Sequence, residues 1–343
     1  MAGIVGAIGN NDVGVAGVCW DVKIMNLRIF PVSVRYGLVS NAVEAIGYAV
    51  EKGAKILNAS FGGGSGAPPS SYGLRDAIED ANDAGCLFIA SAGNRGKDND
   101  IISQAEYPAS YDLPNIISVM ATTDTDSKWS SSNHGGDSVD LAAPGENILS
   151  TTPTYDTDVM SEFNISTSYG SDSGTSMAAP MVSGACALVW SLEPSMNYLA
   201  VKQVIMDTVD YLDLDCVTGG RLNLFKALKY LDPVISIKNT SGEKVAWFSK
   251  GGALFLGGTL TSSTTPVASA NEEFRIQNSS SQDVAIINAT TGNMVIEGSV
   301  FTGQTDLSNA SNYILKDDND NVVGYINDSG NLYLKGYVVE NYD

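Results

Sequence analysis

Apolar runs alternate with amphipathic stretches along the first two-thirds of the chain. Residues 39–52 and 72–84 repeat apolar positions at helical spacing, which predicts two helices. The short continuous apolar runs, which are typical of buried strands, lie at 22–30, 54–60, 85–91 and 116–121. Alternation of helices with strands that are apolar on both faces indicates an α/β fold with a mostly parallel, doubly covered sheet.

The pattern changes near residue 231. Beyond it, short alternating strands are separated by Ser, Asn, Asp and Gly, which is typical of an all-β domain. A unit of two strands around a glycine turn occurs three times, with Gly252, Gly292 and Gly330 about 39 residues apart. We therefore predict two domains, an α/β domain at 1–231 and a smaller all-β domain of three repeats at 232–343. One repeat cannot bury its own apolar face, so the three are expected to pack together.

Composition narrows the function classes. The 343 residues include 43% hydrophobic residues, enough for a sizeable core, and carry a net charge of −20, which disfavours nucleic-acid binding. No apolar run approaches the ~20 residues of a membrane span. An acidic surface suits a secreted protein, and secretion is the localisation we predict, although these residues contain no signal peptide. The cysteines form no CxxC pair, which argues against zinc; a bridge between Cys19 and Cys216 stays open.

One serine stands at the start of an apolar helix of small residues. Ser176 lies in Gly-Thr-Ser-Met-Ala-Ala-Pro, where helix N–H groups and the helix dipole can stabilise an oxyanion. By position alone such a serine is more often a helix cap. The complete string, however, resembles the nucleophile motif of the subtilisin-like serine proteases, the subtilases.

Other motifs follow in the order of that family over residues 1–231. The run from Ile89 to Asn94 resembles the oxyanion-hole segment, and the run from Leu57 to Gly63 resembles the strand end that pairs with the substrate backbone. The resemblance implies a subtilisin-like three-layer fold, protein or peptide substrates and no required cofactor. It implies Ser176 and Asn94 as catalytic residues. The implied substrate-binding residues are Ser60, Phe61, Gly62, Ser91, Ala92, Gly93 and Glu106.

The largest departure concerns the other two residues of the triad. Subtilases carry Asp, His and Ser in that order, with His in His-Gly-Thr-His-x-Ala-Gly, and here Met1-Ala2-Gly3 stands at x-Ala-Gly. We expect an N-terminally truncated peptidase domain that is inactive by itself. The only histidine, His134, aligns with a surface loop and is not expected to act as the base. The alternative is a pseudoenzyme or binding protein that uses the peptide groove or the C-terminal repeats, whose partner would be a cell surface, a glycan or a protein.

Two finer expectations rest on the same resemblance. Glu106 precedes Tyr107-Pro108, where the family has the base of the S1 pocket, which holds the P1 residue before the cleaved bond. A carboxylate there would favour Lys or Arg at P1, unless the loop is shifted and Glu106 faces water. Asn10, Asn11 and Val13 occupy a loop where some subtilases bind calcium. The resemblance makes them candidate ligands of a structural calcium ion.

Overall fold

The structure is a computed structural model of the chain. It describes residues 1–30, 37–63, 73–157, 160–161, 166–194, 196–231, 233–238, 244–249, 253–256, 260–262, 273–277, 283–288, 293–296, 299–302, 313–316, 322–327, 331–335 and 338–340. The chain divides into two compact units, Met1–Ala227 and Leu228–Asp343.

The first unit alternates helices and strands. Its helices are α1 (Ala2–Gly6), α2 (Val39–Glu51), α3 (Leu74–Asp83), α4 (Thr175–Leu192) and α5 (Tyr198–Asp207). A sixth helix, α6 (Leu224–Tyr230), begins in the first unit and ends just past its last residue. Its strands are β1 (Ile56–Ala59), β2 (Leu87–Ser91), β3 (Ile116–Thr122), β4 (Leu141–Pro144), β5 (Ile148–Thr151), β6 (Tyr169–Asp172), β7 (Asp210–Tyr211) and β8 (Gly220–Arg221).

Six of these strands form the main sheet, in the order β1-β2-β3-β4-β8-β7. All neighbours run parallel except β7 and β8, which are antiparallel. Every residue of β2 and β3 is buried, because helices cover both faces of the centre of the sheet. The predicted α/β fold with a mostly parallel sheet is confirmed.

The predicted strand at 22–30 is wrong in its pairing. No described strand forms a ladder with these residues, and Ile24 and Met25 are 45% and 43% exposed. An apolar run predicts that a segment prefers extended backbone, but a strand also needs a neighbour that accepts and donates its backbone hydrogen bonds.

Helix α4 is the central helix of the first unit and packs against β1, β2, β3 and β4. Small residues allow the close approach: a Cβ atom at Gly184 would lie 2.6 Å from the Cβ of Val18. Among the described helices, α4 is the one long and apolar enough to cross a membrane, but 67% of it is buried inside the fold. Its apolar character is therefore that of a core helix.

From residue 233 onward the second unit is all-β in its described residues, as predicted. Its strands are β9 (Pro233–Lys238), β10 (Lys244–Ser249), β11 (Leu254–Leu256), β12 (Leu260–Ser262), β13 (Glu273–Gln277), β14 (Asp283–Asn288), β15 (Met294–Ile296), β16 (Val300–Phe301), β17 (Tyr313–Lys316), β18 (Val322–Ile326), β19 (Leu332–Leu334) and β20 (Val338–Val339).

These strands form three four-stranded sheets that exchange one strand each in a cycle. Each repeat supplies three antiparallel strands to its own sheet, such as β13, β14 and β15. The last short strand of each repeat pairs in parallel with the next sheet: β12 with β15, β16 with β19, and β20 with β11 of the first repeat. The three sheets share one apolar core. The turn glycines Gly252, Gly292 and Gly330 lie outside the described residues.

Candidate active site

Ser176 is the second residue of α4 and is half-buried. Its hydroxyl Oγ lies 3.3 Å from the backbone oxygen of Ser60, to which it donates a hydrogen bond. In return the Ser60 hydroxyl donates to the backbone oxygen of Ser176 at 2.9 Å, and the Asn58 amide donates to Ser60 Oγ at 2.9 Å. These bonds fix the start of the helix against the end of β1.

Asn94 follows the end of β2 and reaches the same helix start. Its Oδ1 accepts hydrogen bonds from the backbone N–H and the hydroxyl of Thr175, both at 2.9 Å. Because the oxygen is committed to Thr175, the Nδ2 amide is the group left to donate to a ligand. The N–H of Ser176 lies in the first helical turn, where backbone donors have no intrahelical acceptor. Asn94 Nδ2 and the Ser176 N–H are therefore two donors available at the start of α4, which is the positive end of the helix dipole.

Two buried asparagines that the sequence did not single out hold the loop that carries Asn94. Asn133 Oδ1 accepts the backbone N–H groups of Arg95 at 2.9 Å and Lys97 at 3.0 Å. Asn133 Nδ2 donates to Asn99 Oδ1 at 3.0 Å, and Asn99 Nδ2 donates to the backbone oxygen of Ala92 at 2.9 Å. In the sequence both are ordinary polar residues of loops, and only the fold shows that they are buried.

The two segments predicted to bind substrate, 60–62 (the first wall) and 91–93 (the second wall), lie at the ends of the adjacent parallel strands β1 and β2. Ser91 and Ala92 are buried, and Ala92 N–H donates to the backbone oxygen of Val119. Their side chains therefore face the interior of the fold, and the second wall is held against β3. Phe61 is half-buried and packs against the core that includes α2 and α3. The loop after Glu106 is tied to the first wall, because Gly63 and Tyr107 exchange backbone hydrogen bonds of 3.0 and 3.3 Å.

The Glu106 side chain lies between the two walls, at the base of a slot. A Cβ atom at Gly62 would lie 3.1 Å from Glu106 Oε1, and a Cβ atom at Gly93 would lie 3.1 Å from Glu106 Cγ. Burial raises the pKa of the Glu106 carboxyl, and the positive charge of Arg95 partly opposes that rise. The structure thus brings Glu106, Gly62 and Gly93 together, and the expectation that Glu106 faces water is wrong for this loop.

His134 is held by a different partner. Its Nδ1 lies 2.5 Å from Asp215 Oδ2, and its backbone pairs with the loop at Lys97 and Asn99. None of these contacts involves Ser176. The imidazole is thus engaged in a hydrogen bond with Asp215 at the edge of the Asn133 loop.

The four cysteines, Cys19, Cys86, Cys186 and Cys216, are free and buried, so the bridge left open between Cys19 and Cys216 is not formed. Burial raises the pKa of Cys186 to about 12. A thiol with a raised pKa is a poor nucleophile at neutral pH. Ser176 is therefore the candidate nucleophile of this unit.

The loop predicted to hold calcium does not gather carboxylates in the described residues. Asn11 Oδ1 accepts a hydrogen bond from the N–H of Val13 at 3.1 Å, and Asn10 and Asp12 adopt left-handed backbone conformations. Within the part of the chain that the structure describes, no group of three His, Cys, Asp or Glu residues is placed to hold a metal. A cation here would depend on backbone carbonyls and asparagine amide oxygens, and calcium stays a prediction.

A sequence profile of the subtilase family matches residues 1–231. Thermitase of Thermoactinomyces vulgaris is 35% identical over 67% of this chain and 73% of its own length. The major intracellular serine protease of Bacillus subtilis is 34% identical over 55% of this chain and 54% of its own. The extracellular basic protease of Dichelobacter nodosus is 36% identical over 60% of this chain and 33% of its own. Several relatives are thus covered over only about half of their length or less.

A solved structure shows the same arrangement of the first unit. A protease from Pseudoalteromonas arctica superimposes with a TM-score of 0.57 and 26% identity, covering 66% of this chain and 68% of that one. The subtilisin-like fold is confirmed by this likeness together with the parallel sheet.

Proposed function

The chain belongs to the subtilase family, and from this premise we propose that, in its complete form, the protein is a serine endopeptidase acting through an acyl-enzyme on Ser176. The observation that carries the proposal is the position of Ser176: its hydroxyl lies at the start of α4, beside the Asn94 amide that Thr175 orients. Membership of the family by itself supports a serine peptidase that acts on proteins or peptides.

The reaction uses this geometry in two steps. Ser176 Oγ bonds to the carbonyl carbon of the substrate, its proton passes through a general base to the departing amine, and the peptide C–N bond breaks. Water then attacks the acyl-enzyme and releases the acid. In both steps the negative charge on the carbonyl oxygen is stabilised by Asn94 Nδ2 and the N–H of Ser176, a contribution of about 10²–10³ in kcat for one such donor.

We further propose that the 343-residue polypeptide by itself is a poor catalyst. Its single histidine is bonded to Asp215, so Ser176 lacks a base to accept its proton. A serine hydroxyl without such a base is a weak nucleophile at neutral pH. In the Ser-His-Asp triad, a histidine oriented by an aspartate accepts this proton.

The proposed substrates are proteins or peptides with Lys or Arg at P1. This specificity is supported by the Glu106 carboxylate, which is buried between the two walls that would flank a bound peptide. Secretion is likewise a proposal: the acidic composition suits it, and the relatives include both extracellular and intracellular proteases.

The upstream coding sequence is the first test. An in-frame Asp-Ser/Thr-Gly segment followed by His-Gly-Thr-His supports the protease, and the extended protein should then hydrolyse casein and react with a fluorophosphonate at Ser176. Ser176→Ala should abolish both reactions, whereas Ser171→Ala, on exposed β6, should leave them unchanged. An upstream in-frame stop codon, with a ribosome-binding site just before Met1, would contradict the proposal. Full labelling of the 343-residue polypeptide by the fluorophosphonate would contradict it as well.

A second candidate function is a surface-binding protein that uses the C-terminal repeats. It is favoured by Tyr325 and Tyr333, which stack on paired strands of the third sheet with ring centroids 4.6 Å apart and are only half-buried. Half-exposed aromatic faces are common in binding surfaces. Cosedimentation with insoluble polysaccharides should fall in Tyr325→Ala but not in Tyr155→Ala, which changes an exposed tyrosine of the first unit.

A further inference from the structure

The carboxylate of Glu106 is buried in a slot that two glycines leave open. Its side chain is only 8% exposed. Gly62 and Gly93 approach it closely enough that any side chain at either position would press on it, since the added Cβ atoms would lie 3.1 Å away. The slot therefore holds a single negative charge with little access to water, which is a costly arrangement unless a cation is near.

Among the described residues, the cation within 4 Å of this carboxylate belongs to Arg95, the residue after the proposed oxyanion donor. Its Nη1 lies 3.8 Å from Glu106 Oε2, and its side chain is 51% exposed. This distance is too long for a hydrogen bond, and Oε2 accepts none from the described residues. The pair is thus a loose one, between a buried carboxylate and a partly solvated guanidinium. Water around the guanidinium weakens the attraction between the two charges.

Only the backbone of Arg95 is held firmly. Its N–H donates to Asn133 Oδ1 at 2.9 Å, and Asn133 is itself buried and bonded to Asn99. The long side chain can therefore swing away from Glu106 while the loop that carries Asn94 keeps its place.

We propose that Arg95 is an intramolecular counter-ion at the rim of the Glu106 pocket, which neutralises the carboxylate until the cationic side chain of a ligand displaces it. Arg95 would then set the selectivity of the pocket, because an incoming cation must compete with a guanidinium already present. A ligand that enters the slot gains close, charge-assisted hydrogen bonds that Arg95 does not form from its rim position. The inference rests on the proposed function, in which this pocket receives a Lys or Arg side chain.

Benzamidine, a small amidinium cation, tests the exchange without catalysis. Its binding to the 343-residue protein is measured by calorimetry and by amide chemical-shift changes. Arg95→Ala should bind benzamidine about fivefold more tightly than the unaltered protein, because the competing cation is gone. Glu106→Gln, of nearly the same shape, should weaken binding at least tenfold, and neutral benzamide should not bind.

Arg75→Ala is the matched control. It removes the same charge from an exposed pair with Glu79 on α3 and should leave the affinity unchanged, which excludes a general effect of net charge. Melting curves show whether each variant is folded.

The possible failures are distinguishable. If Glu106→Gln loses binding but Arg95→Ala binds no more tightly than the unaltered protein, the exchange is overturned and the proposed pocket stands. If Glu106→Gln binds as well as the unaltered protein, the pocket assignment fails, and the inference fails with it.

Discussion

At the scale of residues, the orientation of single side chains decides what the candidate site can do. Asn94 would donate to an oxyanion only while its carboxamide keeps the present rotamer. That rotamer is held by two hydrogen bonds from Thr175, a residue 81 positions further along the chain. Thr175 is thus a positioning residue for the proposed chemistry.

Thr175→Val should therefore impair catalysis in the complete enzyme. The substitution keeps the volume and the backbone N–H but removes the hydroxyl that donates to Asn94 Oδ1. We expect kcat to fall about tenfold with KM unchanged, a part of the full loss of an oxyanion donor. Thr175→Ser keeps the hydroxyl and should restore most of the activity; equal losses in both variants would contradict this role.

Lys202 is a second residue whose contacts only the fold shows. Its Nζ donates to the backbone oxygens of Ile116 at 2.5 Å and Pro114 at 3.3 Å, and lies 3.4 Å from Asp140 Oδ1. Burial raises the pKa of the Asp140 carboxyl, and Lys202 opposes that rise. The ammonium therefore offsets a buried negative charge behind the main sheet.

Lys202→Met should lower the free energy of unfolding by about 3 kcal/mol at neutral pH, since it leaves Asp140 buried without its cation. A carboxyl whose folded-state pKa is raised binds its proton more tightly when folded, so its contribution to stability declines as the pH rises through that pKa. The loss in the variant should therefore shrink as the pH falls. Urea unfolding at a series of pH values from neutral into the acidic range measures this loss. The control is the exposed Lys52→Met, which should lower the free energy of unfolding by under ~1 kcal/mol.

At the scale of elements, the site lies where two parallel strands end and one helix begins. The ends of β1 and β2 supply Ser60, Gly62 and Gly93, and the start of α4 supplies Ser176. The carboxyl ends of parallel strands meet at one edge of a sheet, which is where α/β folds place their ligands. The loop at 10–13 is a separate element with exposed polar residues.

Calcium at that loop is testable by thermal unfolding. If the ion binds, millimolar CaCl2 should raise Tm by a few degrees relative to EGTA, because a ligand that binds only the folded state stabilises it. The shift should be lost in Asn11→Ala and should not be produced by MgCl2. Identical melting curves in CaCl2 and EGTA would show that the loop holds no calcium.

At the scale of the whole molecule, the two units have separate apolar cores and different rules of assembly. The first unit is layered around a sheet, whereas the second closes a cycle of three sheets through the exchanged strands β12, β16 and β20. Each donated strand covers the edge of the third antiparallel strand of a neighbouring repeat and so ties two repeats together. The last strand, β20, completes the cycle by pairing with β11.

Truncation after Lys335 should open this cycle. Removal of β20 exposes the edge of β11 and takes Val338 from the shared core. We expect the thermal transition of the second unit to move down by at least several degrees, and that of the first unit to stay in place. Truncation after Glu340, which keeps β20, is the control, and equal melting of both truncations would show that β20 does not close the fold.

Much of this protein was determined by the sequence alone. Continuous apolar runs predicted β1, β2 and β3 within two residues at each end, since a strand buried on both faces must be apolar throughout. The strings around Ser176 and Asn94 predicted the subtilisin-like fold, which is confirmed, and the three glycine turns pointed to repeats. The run at 22–30 has the same apolar pattern but forms no described ladder, because pairing depends on a neighbouring strand that the pattern does not contain.

Only the tertiary structure decided how the polar groups are used. Thr175 orients Asn94, Asn133 fixes the backbone of Arg95, and Arg95 lies against buried Glu106. The partners in these three contacts are 81, 38 and 11 residues apart in the chain, and their residue types are ordinary for loops and helix starts. The strength of a hydrogen bond or an ion pair depends on distance, direction and burial. Those quantities exist only once the chain has folded.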